Sequence, residues 1–487
     1  MGRIKSLASD TMIYGVFTVI GRFLTFLLTP IYTNYLPIVA VGDISYFFSI
    51  IAFINIIYAF GMETAFFRFY DEDDLAKSKK VFTAAYVTIL AVAFISSTIV
   101  FIFADKIAPA MSELPDAVKL VRLAAFLPLL DSMLVIPLAM LRMTRKAKRF
   151  ALIRFFIVVI AVTLNMVFII SLKMGVEGVF LAQIISSLAG ILLLSKDIIK
   201  NLIGRLDKIL LKQMLRFGLP TVPATLSGMI LQVVNIPILR QLTNPETVAL
   251  FAVNNRLAIP MLLFVSVFIY AWKPFYMSRF KDADAKQLFS RVFTYFTLSA
   301  SVIFLFVAFF IKFIVTVPFI GGTFIDKAYW SGLGIVPIVL TGHFLNGVFN
   351  NFAAGFHITK KTDYLPLAIG VAAVLNIILN FLLIPYLQIW GSALASLISY
   401  FVASVILYII SRKIYYIKYD WKRIITLIVL TAVFYLSGDY LTTGLSVGKE
   451  IIIKFIFLVG FVATLFLTKF FTKSELRAFM AMFRKRN

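Results

Sequence analysis

Fourteen apolar runs divide this sequence, and each is long enough to cross a bilayer. A hydrocarbon core of about 30 Å takes roughly 20 helical residues at about 1.5 Å each. The runs cover 11–33, 41–63, 81–104, 118–140, 150–172, 176–195, 213–239, 247–272, 288–311, 332–355, 363–385, 390–411, 423–440 and 451–470. Only 14% of the residues are charged and 61% are hydrophobic, whereas a soluble domain carries about 25% charge. The pattern predicts an all-α integral membrane protein with 14 transmembrane helices. The 51 Phe suit surfaces that face lipid. The first run is too long for a signal-peptide core and no small-residue cleavage site follows it, so it reads as a mature helix. Met1-Gly2 with Ser6 fits a myristoylation pattern weakly, and a chain with many spans gains nothing from one acyl chain.

Charge fixes the expected orientation. The net charge is +24, but its placement argues for topology and against nucleic acid. Of the 47 Lys and Arg, 34 fall in the termini and the even-numbered connections, counting Arg291, Arg423 and Lys469 at the run ends beside them, 6 in the odd-numbered connections and 7 elsewhere within runs. Basic residues accumulate on the cytoplasmic side, so both termini and every even connection are expected there. The connections are short and leave no room for a soluble catalytic domain.

The longest cytoplasmic link, 196–212, separates two halves. The expected organisation is a six-helix bundle over 1–195, the linker, a second six-helix bundle over 213–411, and two added helices with a basic tail over 412–487. The halves resemble each other. Residues 141–175 align with 356–390 at an offset of 215, matching Thr144 to Thr359, Arg145-Lys146 to Lys360-Lys361 and Asn165 to Asn380. Tyr14-Gly15 matches Phe217-Gly218, and Arg68-Phe69 matches Arg279-Phe280. Six helices per repeat makes the repeats parallel, and such pseudo-symmetric repeats place a site between the halves near the midplane.

Few charged or titratable groups lie deep. Arg22 sits eleven residues into the first run, about 16 Å from its start. A guanidinium there cannot reach either interface and costs about 2.5 kcal/mol or more to place. It must face protein, water or an anionic ligand. Arg256 lies about 14 Å into the eighth run. Asp131, His343 and Asn376 lie at similar depth in the fourth, tenth and eleventh. Arginine suits phosphate because its planar fork donates two parallel hydrogen bonds. Arg22 and Arg256, one from each half, are therefore the first candidates for substrate binding, with Asn376 and His343 beside them. A carboxylate at the depth of Asp131 is suited to carrying a proton or a sodium ion, and equally to balancing an arginine. Asp43 and Glu63, near opposite ends of the second run, suit a gate or a vestibule. Arg154, Arg216 and Lys454 lie within about a turn of a helix end and can snorkel; Arg154 and Arg216 stand with Asp131, Asp43 and Glu63 as candidates for coupling or gating. Gly218, Pro220, Pro223 and Gly228 gather in the seventh run, as a static kink or as a hinge.

Enzymatic motifs are missing. Gly444 to Glu450 is one residue short of a phosphate loop and ends in Glu where Ser or Thr is required. The chain has no Cys and two His, His343 and His357, which removes disulfides, thiolate metal sites and cysteine nucleophiles. The expectation is a transporter that is not an enzyme, with no bound cofactor or metal.

Four stretches resemble the polysaccharide transporter family of the multidrug/oligosaccharidyl-lipid/polysaccharide exporter superfamily. They are Ser9-Asp10 through Ile20-Gly21-Arg22-Phe23, Gly61-Met62-Glu63-Thr64 through Arg68-Phe69, Ala252-Val253-Asn254-Asn255-Arg256-Leu257, and Thr359-Lys360-Lys361-Thr362 with Leu375-Asn376, Asn380, Ile384-Pro385 and Gly391-Ser392-Ala393. Where the family has Gly-x-x-Gly after Ile-Pro, this chain has Trp390 and a single Gly391. The resemblance implies two six-helix bundles around a central cavity, with two added helices. It implies a monomeric, multi-pass protein of the bacterial cytoplasmic membrane that moves an undecaprenyl-pyrophosphate-linked oligosaccharide to the outer leaflet. The cargo would be an O-antigen, capsule or exopolysaccharide unit, with glycosyltransferases and a polymerase as partners. The family's cation-lined cavity maps onto Arg22 and Arg256, so the pyrophosphate would sit between them, the sugars in the cavity and the polyprenyl tail in lipid. Two alternatives stay open, a peptidoglycan-precursor flippase and a multidrug exporter driven by Na+ or H+. Coupling to Na+, H+ or the membrane potential is equally open. The exporter would need acidic residues at the midplane, where one Asp stands against two Arg.

The topology is directly testable. Reporter fusions or accessibility labelling at 312–331 and 412–422 are expected to report opposite faces. Finding both on one face would overturn the map and every depth assignment built on it.

Overall fold

A computed structural model describes residues 15–468, 470, 471 and 475. Thr11–Tyr14, Ser9-Asp10, the Met1-Gly2 pattern and most of the basic tail from Lys469 onward lie outside them. Among the described residues 14 helices are long and apolar enough to span a membrane. They are α1 Gly15–Tyr35, α2 Ile38–Ala59, α3 Leu75–Ile102, α4 Ala117–Met143, α5 Ala147–Ser171, α6 Gly175–Asn201, α7 Lys208–Val233, α8 Ile259–Arg279, α9 Ala285–Thr316, α10 Lys327–Ile358, α11 Tyr364–Leu387, α12 Ile389–Ile414, α13 Trp421–Thr442 and α14 Val447–Leu467. Among the described residues the one pairing of strands is a hairpin, Pro318–Phe319 with Gly322–Thr323, between α9 and α10. The end of the molecule carrying the even-numbered connections is the basic end; the other is the far end.

Several helices are broken where the sequence suggested continuity. The seventh and eighth runs resolve into four pieces: α7, Asn235–Leu242, Pro245–Arg256 and α8. The cause is proline, which has no N–H to offer the carbonyl four residues earlier. Pro237 withholds that bond from Val233, where α7 ends, and Pro260 withholds it from Arg256, where Pro245–Arg256 ends. Within α7, Leu219–Thr221 tightens to a 3-10 turn between Gly218 and Val222. Beyond α2, Phe60 and Gly61 turn the chain before the short helix Met62–Phe69, with φ of 25° and 78°.

The internal repeat is written in the backbone. Arg145 and Lys360, 215 residues apart, both have positive φ, and so do Lys173 and Gln388 at the same offset. Asn165 donates its side-chain amide to the Ala161 carbonyl, as Asn380 does to Asn376. Tyr32 donates to Asn165 at 2.8 Å in the first half, and Asn380 donates to Asn235 at 3.0 Å in the second. Each bond ties the first apolar run of its half to the fifth. The α11–α12 turn closes tightly despite Trp390: a Cβ on Gly391 would lie 2.6 Å from the Leu383 backbone.

Glycines mark where the halves touch most closely. A Cβ on Gly42 of α2 would lie 1.9 Å from the Pro245 carbonyl oxygen at the far end. At the basic end, a Cβ on Gly61 would lie 2.1 Å from the Gly218 carbonyl oxygen, and one on Gly218 would lie 2.7 Å from that of Gly61.

Helices α13 and α14 pack onto α9 through Leu305, Phe309, Leu427, Phe461 and Leu465. Lys454 does not snorkel. Its side chain is 1% exposed, its Nζ lies 2.5 Å from Glu450 and 3.9 Å from Asp439, and it sits 5.6 Å from the Phe313 ring centroid. Turned inward, the ammonium holds α14 to α13 and α9. Removing one partner of a buried pair costs about 3–5 kcal/mol, so Lys454→Met is expected to lower the melting temperature in detergent. Adding Glu450→Gln is expected to restore most of the loss. An unchanged melting temperature in the single variant would show that the pair contributes nothing.

Candidate functional site

Two polar chambers meet at Arg22 and Arg256. The first, about 850 Å³, is lined by α1, α5 and α8 and carries Arg22, Arg142, Arg154 and Arg256 on its wall. It extends from the two deep arginines toward the basic end at Arg142 and Phe150. The second, about 400 Å³, lies among residues of the second half and again has Arg22 and Arg256 on its wall, with His343 and several amides. No carboxylate lines either chamber among the described residues. A third cavity of about 500 Å³ between α8, α9, α10, α12 and α13 is apolar and has no charged residue on its wall. A charged group would lose its hydration there with nothing in exchange.

Helix breaks place the two deep arginines. Arg256 is the last residue of Pro245–Arg256, one turn before the Pro260 interruption, so its cationic side chain complements a helix C-terminus near the midplane. Arg22 lies on α1 and donates from Nη1 to Ser266 Oγ of α8 at 2.7 Å. That bond joins the halves. It continues toward the basic end in the packing of Gly15 against the Tyr270 ring.

Arg142 and Arg154 are the wall residues that sequence depth did not single out. Arg142 belongs to the end of α4; it pairs with Glu63 and lies over Phe67 and Phe150, 4.9 and 5.7 Å from their ring centroids. Glu63 is therefore engaged within its own half, beside the chamber mouth. Arg154, which could reach an interface by depth alone, instead lines the first chamber. Depth says how far a residue sits from an interface and not which face of the helix it occupies, so no signal in the sequence distinguished Arg154 from Arg216. Arg216 lies exposed in the last turn of Lys208–Gly218 and is on neither wall.

The remaining candidates are scattered. Asn376 is fully buried and lies on neither wall; its Oδ1 accepts from Asn380 at 3.1 Å, within a neutral cluster that includes Asn235 and Ser392. Its position is that of a packing residue. Asp131 sits inside the first half, accepting from Asn55 at 3.3 Å and Ser187 at 3.1 Å. Among the described residues it forms no ion pair, so it does not balance Arg22 or Arg256.

Asp43 belongs to a closure at the far end. It is fully buried and accepts from Ser112 Oγ at 2.6 Å and from the Glu113 amide at 3.3 Å. Arg240 of the second half approaches it at 3.8 Å and pairs with Glu113 at 3.0 Å. Beside it, the end of α1 docks on the hairpin, with the Asn34 amide donating to the Thr323 carbonyl at 2.7 Å. Sequence assigned Arg240 to a loop, because nothing in it shows which acids face a connection.

A chamber between two related helical halves, closed at one end and lined by cations, is the architecture of a two-bundle membrane protein. The chain belongs to the polysaccharide biosynthesis protein family, whose model matches residues 7–281 of the 487. The fold is similar to the solved structure titled lipid II flippase MurJ, inward closed conformation, with a TM-score of 0.74 at 16% identity, covering 94% of this chain and 100% of that one. It is also similar to an inward-facing multidrug resistance MATE family transporter of the MOP superfamily, with a TM-score of 0.53 at 16% identity, covering 88% and 95%. A mutant of the Vibrio cholerae MATE transporter VcmN matches with a TM-score of 0.54 at 12% identity, covering 85% and 99%. No curated protein sequence matches the chain.

The far-end closure makes its own prediction. Arg240→Gln removes the cation from buried Asp43 and loosens the contact between the halves. A cysteine placed at Ser266, in a chain with none of its own, is then expected to react several-fold faster with an impermeant thiol reagent applied from the far side. An unchanged rate would show that the ion pair does not hold the gate.

Proposed function

We propose that the protein moves a lipid-linked oligosaccharide across the bacterial cytoplasmic membrane, from the inner to the outer leaflet, by alternating access. The observation that carries this reading is the pair Arg22 and Arg256. They come from opposite halves, lie on the walls of both polar chambers, and have no carboxylate beside them on those walls among the described residues. A pyrophosphate must lose most of its water to pass the midplane. Two guanidinium forks replace that water with charge-assisted hydrogen bonds, each worth about 1.5–3 kcal/mol. Arg142 and Arg154, nearer the basic end, would meet the anion first. With the basic end in the cytoplasm, the first chamber receives the head group and the Asp43–Arg240–Glu113 closure faces outward. Release follows when that closure opens and the basic end shuts, by rocking of the halves about the arginines.

A second reading, a flippase for another lipid-linked cell-wall precursor, draws on the likeness to the lipid II flippase fold and would use the same arginines. Family membership favours the first reading. Export of cationic drugs is disfavoured, because four arginines line the larger chamber and would repel such cargo.

The test is complementation of a flippase-null strain with Gln, Ala and Lys at each position, with membrane levels checked. Each Gln variant is expected to lose surface glycan by about tenfold or more. Lys is expected to substitute poorly, because it lacks the fork. Full activity of the double Arg22→Gln, Arg256→Gln variant would end the proposal.

A further inference from the structure

We propose that the second chamber is a sugar subsite, binding the uncharged sugars next to the pyrophosphate through a row of amides on α10. This rests on the reading of Arg22 and Arg256 as the pyrophosphate site and assigns the neighbouring space. Apart from those two arginines, the wall carries no Lys, Asp or Glu among the described residues. Its polar groups are amides, hydroxyls and one imidazole. His343, Asn346 and Asn350 stand at spacings of three and four on α10, which puts them in a row along one helix face. Asn255, adjacent to Arg256, and Gln232 of α7 lie on the same wall.

The hydrogen-bonding state of the row points to a ligand with hydroxyls. Asn350 donates to the Asn346 carbonyl at 2.8 Å and to Asn346 Oδ1 at 3.0 Å. This orients both amides and leaves the Asn346 NH2 and the Asn350 Oδ1 available. Asn255 and His343 form no side-chain hydrogen bond among the described residues. The chamber therefore offers donors and acceptors side by side, the complement of a sugar ring whose hydroxyls act as both. Other occupants fit less well. An apolar group would bury these amides unpaired, and a cation would find no carboxylate. A second anion would compete for arginines that the pyrophosphate already occupies. The volume, about 400 Å³, falls in the range of small-molecule sites, about 300–1,000 Å³. Because Arg22 and Arg256 belong to both chambers, a pyrophosphate held there has its first sugars at the mouth of the second.

The subsite would also select cargo. A wall built to hydrogen-bond hydroxyls discriminates strongly against a group that lacks them, since its own polar atoms are then left unpaired.

The experiment measures binding of two probes to the full chain in nanodiscs. One is undecaprenyl pyrophosphate; the other is the same lipid carrying an uncharged N-acetylhexosamine–hexose disaccharide. The wild type is expected to bind the glycosylated probe about tenfold more tightly, the equivalent of one or two net hydrogen bonds. The double variant Asn346→Ala, Asn350→Ala is expected to bind both probes alike, at the wild-type affinity for the bare lipid. If it loses the bare lipid as well, Asn255→Ala on a different helix decides, by keeping or losing the difference between probes. Equal binding of the two probes by wild type, or an undiminished preference in these variants, would overturn the subsite and leave the pyrophosphate reading standing. Failure of wild type to bind either probe would overturn the pyrophosphate reading itself.

Discussion

An arginine in the middle of a membrane cannot be left to lipid. Insertion of one at a helix centre costs about 2.5–3.5 kcal/mol on translocon scales, and more on an isolated helix. Much of this fold follows from meeting that cost twice. Arg22 and Arg256 lie where the first and second halves face each other, and both look into space bordered by polar groups. Neither half could offer that surrounding alone, because Arg22 of the first half donates to Ser266 of the second. The proline at 260 and the interruption before it bring Arg256 to a helix terminus, where exposed carbonyls offset part of its charge.

The two ends of the molecule are held by different physics. At the far end, a buried carboxylate, an arginine of the other half and a second acid form a directional network, backed by the docking of α1 on the hairpin. Buried ion pairs add little net stability over apolar packing, but they separate into groups that water solvates well, which suits a contact that must open. At the basic end the halves approach closely through uncharged backbone, at Gly61 and Gly218. Backbones in contact there can pivot without breaking an ion pair. The chain turns at Gly61 and tightens to a 3-10 turn just after Gly218, so the close crossing lies beside interruptions in regular α-helix.

Much of the architecture was legible in the sequence because it rests on long-range regularities. Apolar runs located the spans, alternating charge gave their expected orientation, and the 215-residue offset reappears in the paired left-handed residues Arg145 with Lys360 and Lys173 with Gln388. Depth alone brought Arg22 and Arg256 together as residues needing a polar surrounding. What escaped was directional. Arg154 and Arg142 face the chamber, and no count of residues from a helix end reveals which way a side chain points. Asn376 has the depth of a ligand-facing group but is turned into the helix packing. The breaks at Val234 and at Leu257-Ala258 were hidden because apolar residues run through them, although Pro237 and Pro260 carried the signal.

The chambers also separate two kinds of recognition that one cavity would mix. Four cations line the first, where attraction is long-ranged and indifferent to the shape of the anion. Amides line the second, where bonds are short, oriented and demanding of a partner. On the proposed reading, a head group is drawn in by charge before its sugars are tested by geometry. Capture then depends on the part that every lipid pyrophosphate shares, and selectivity on the part that differs between cargoes. The charged residues shared by both chambers are those two arginines, so the groups that recognise the common part also set where the variable part must lie. That coupling is available only because Arg256 ends a helix at the boundary between the two spaces, with Asn255 immediately before it on the sugar side.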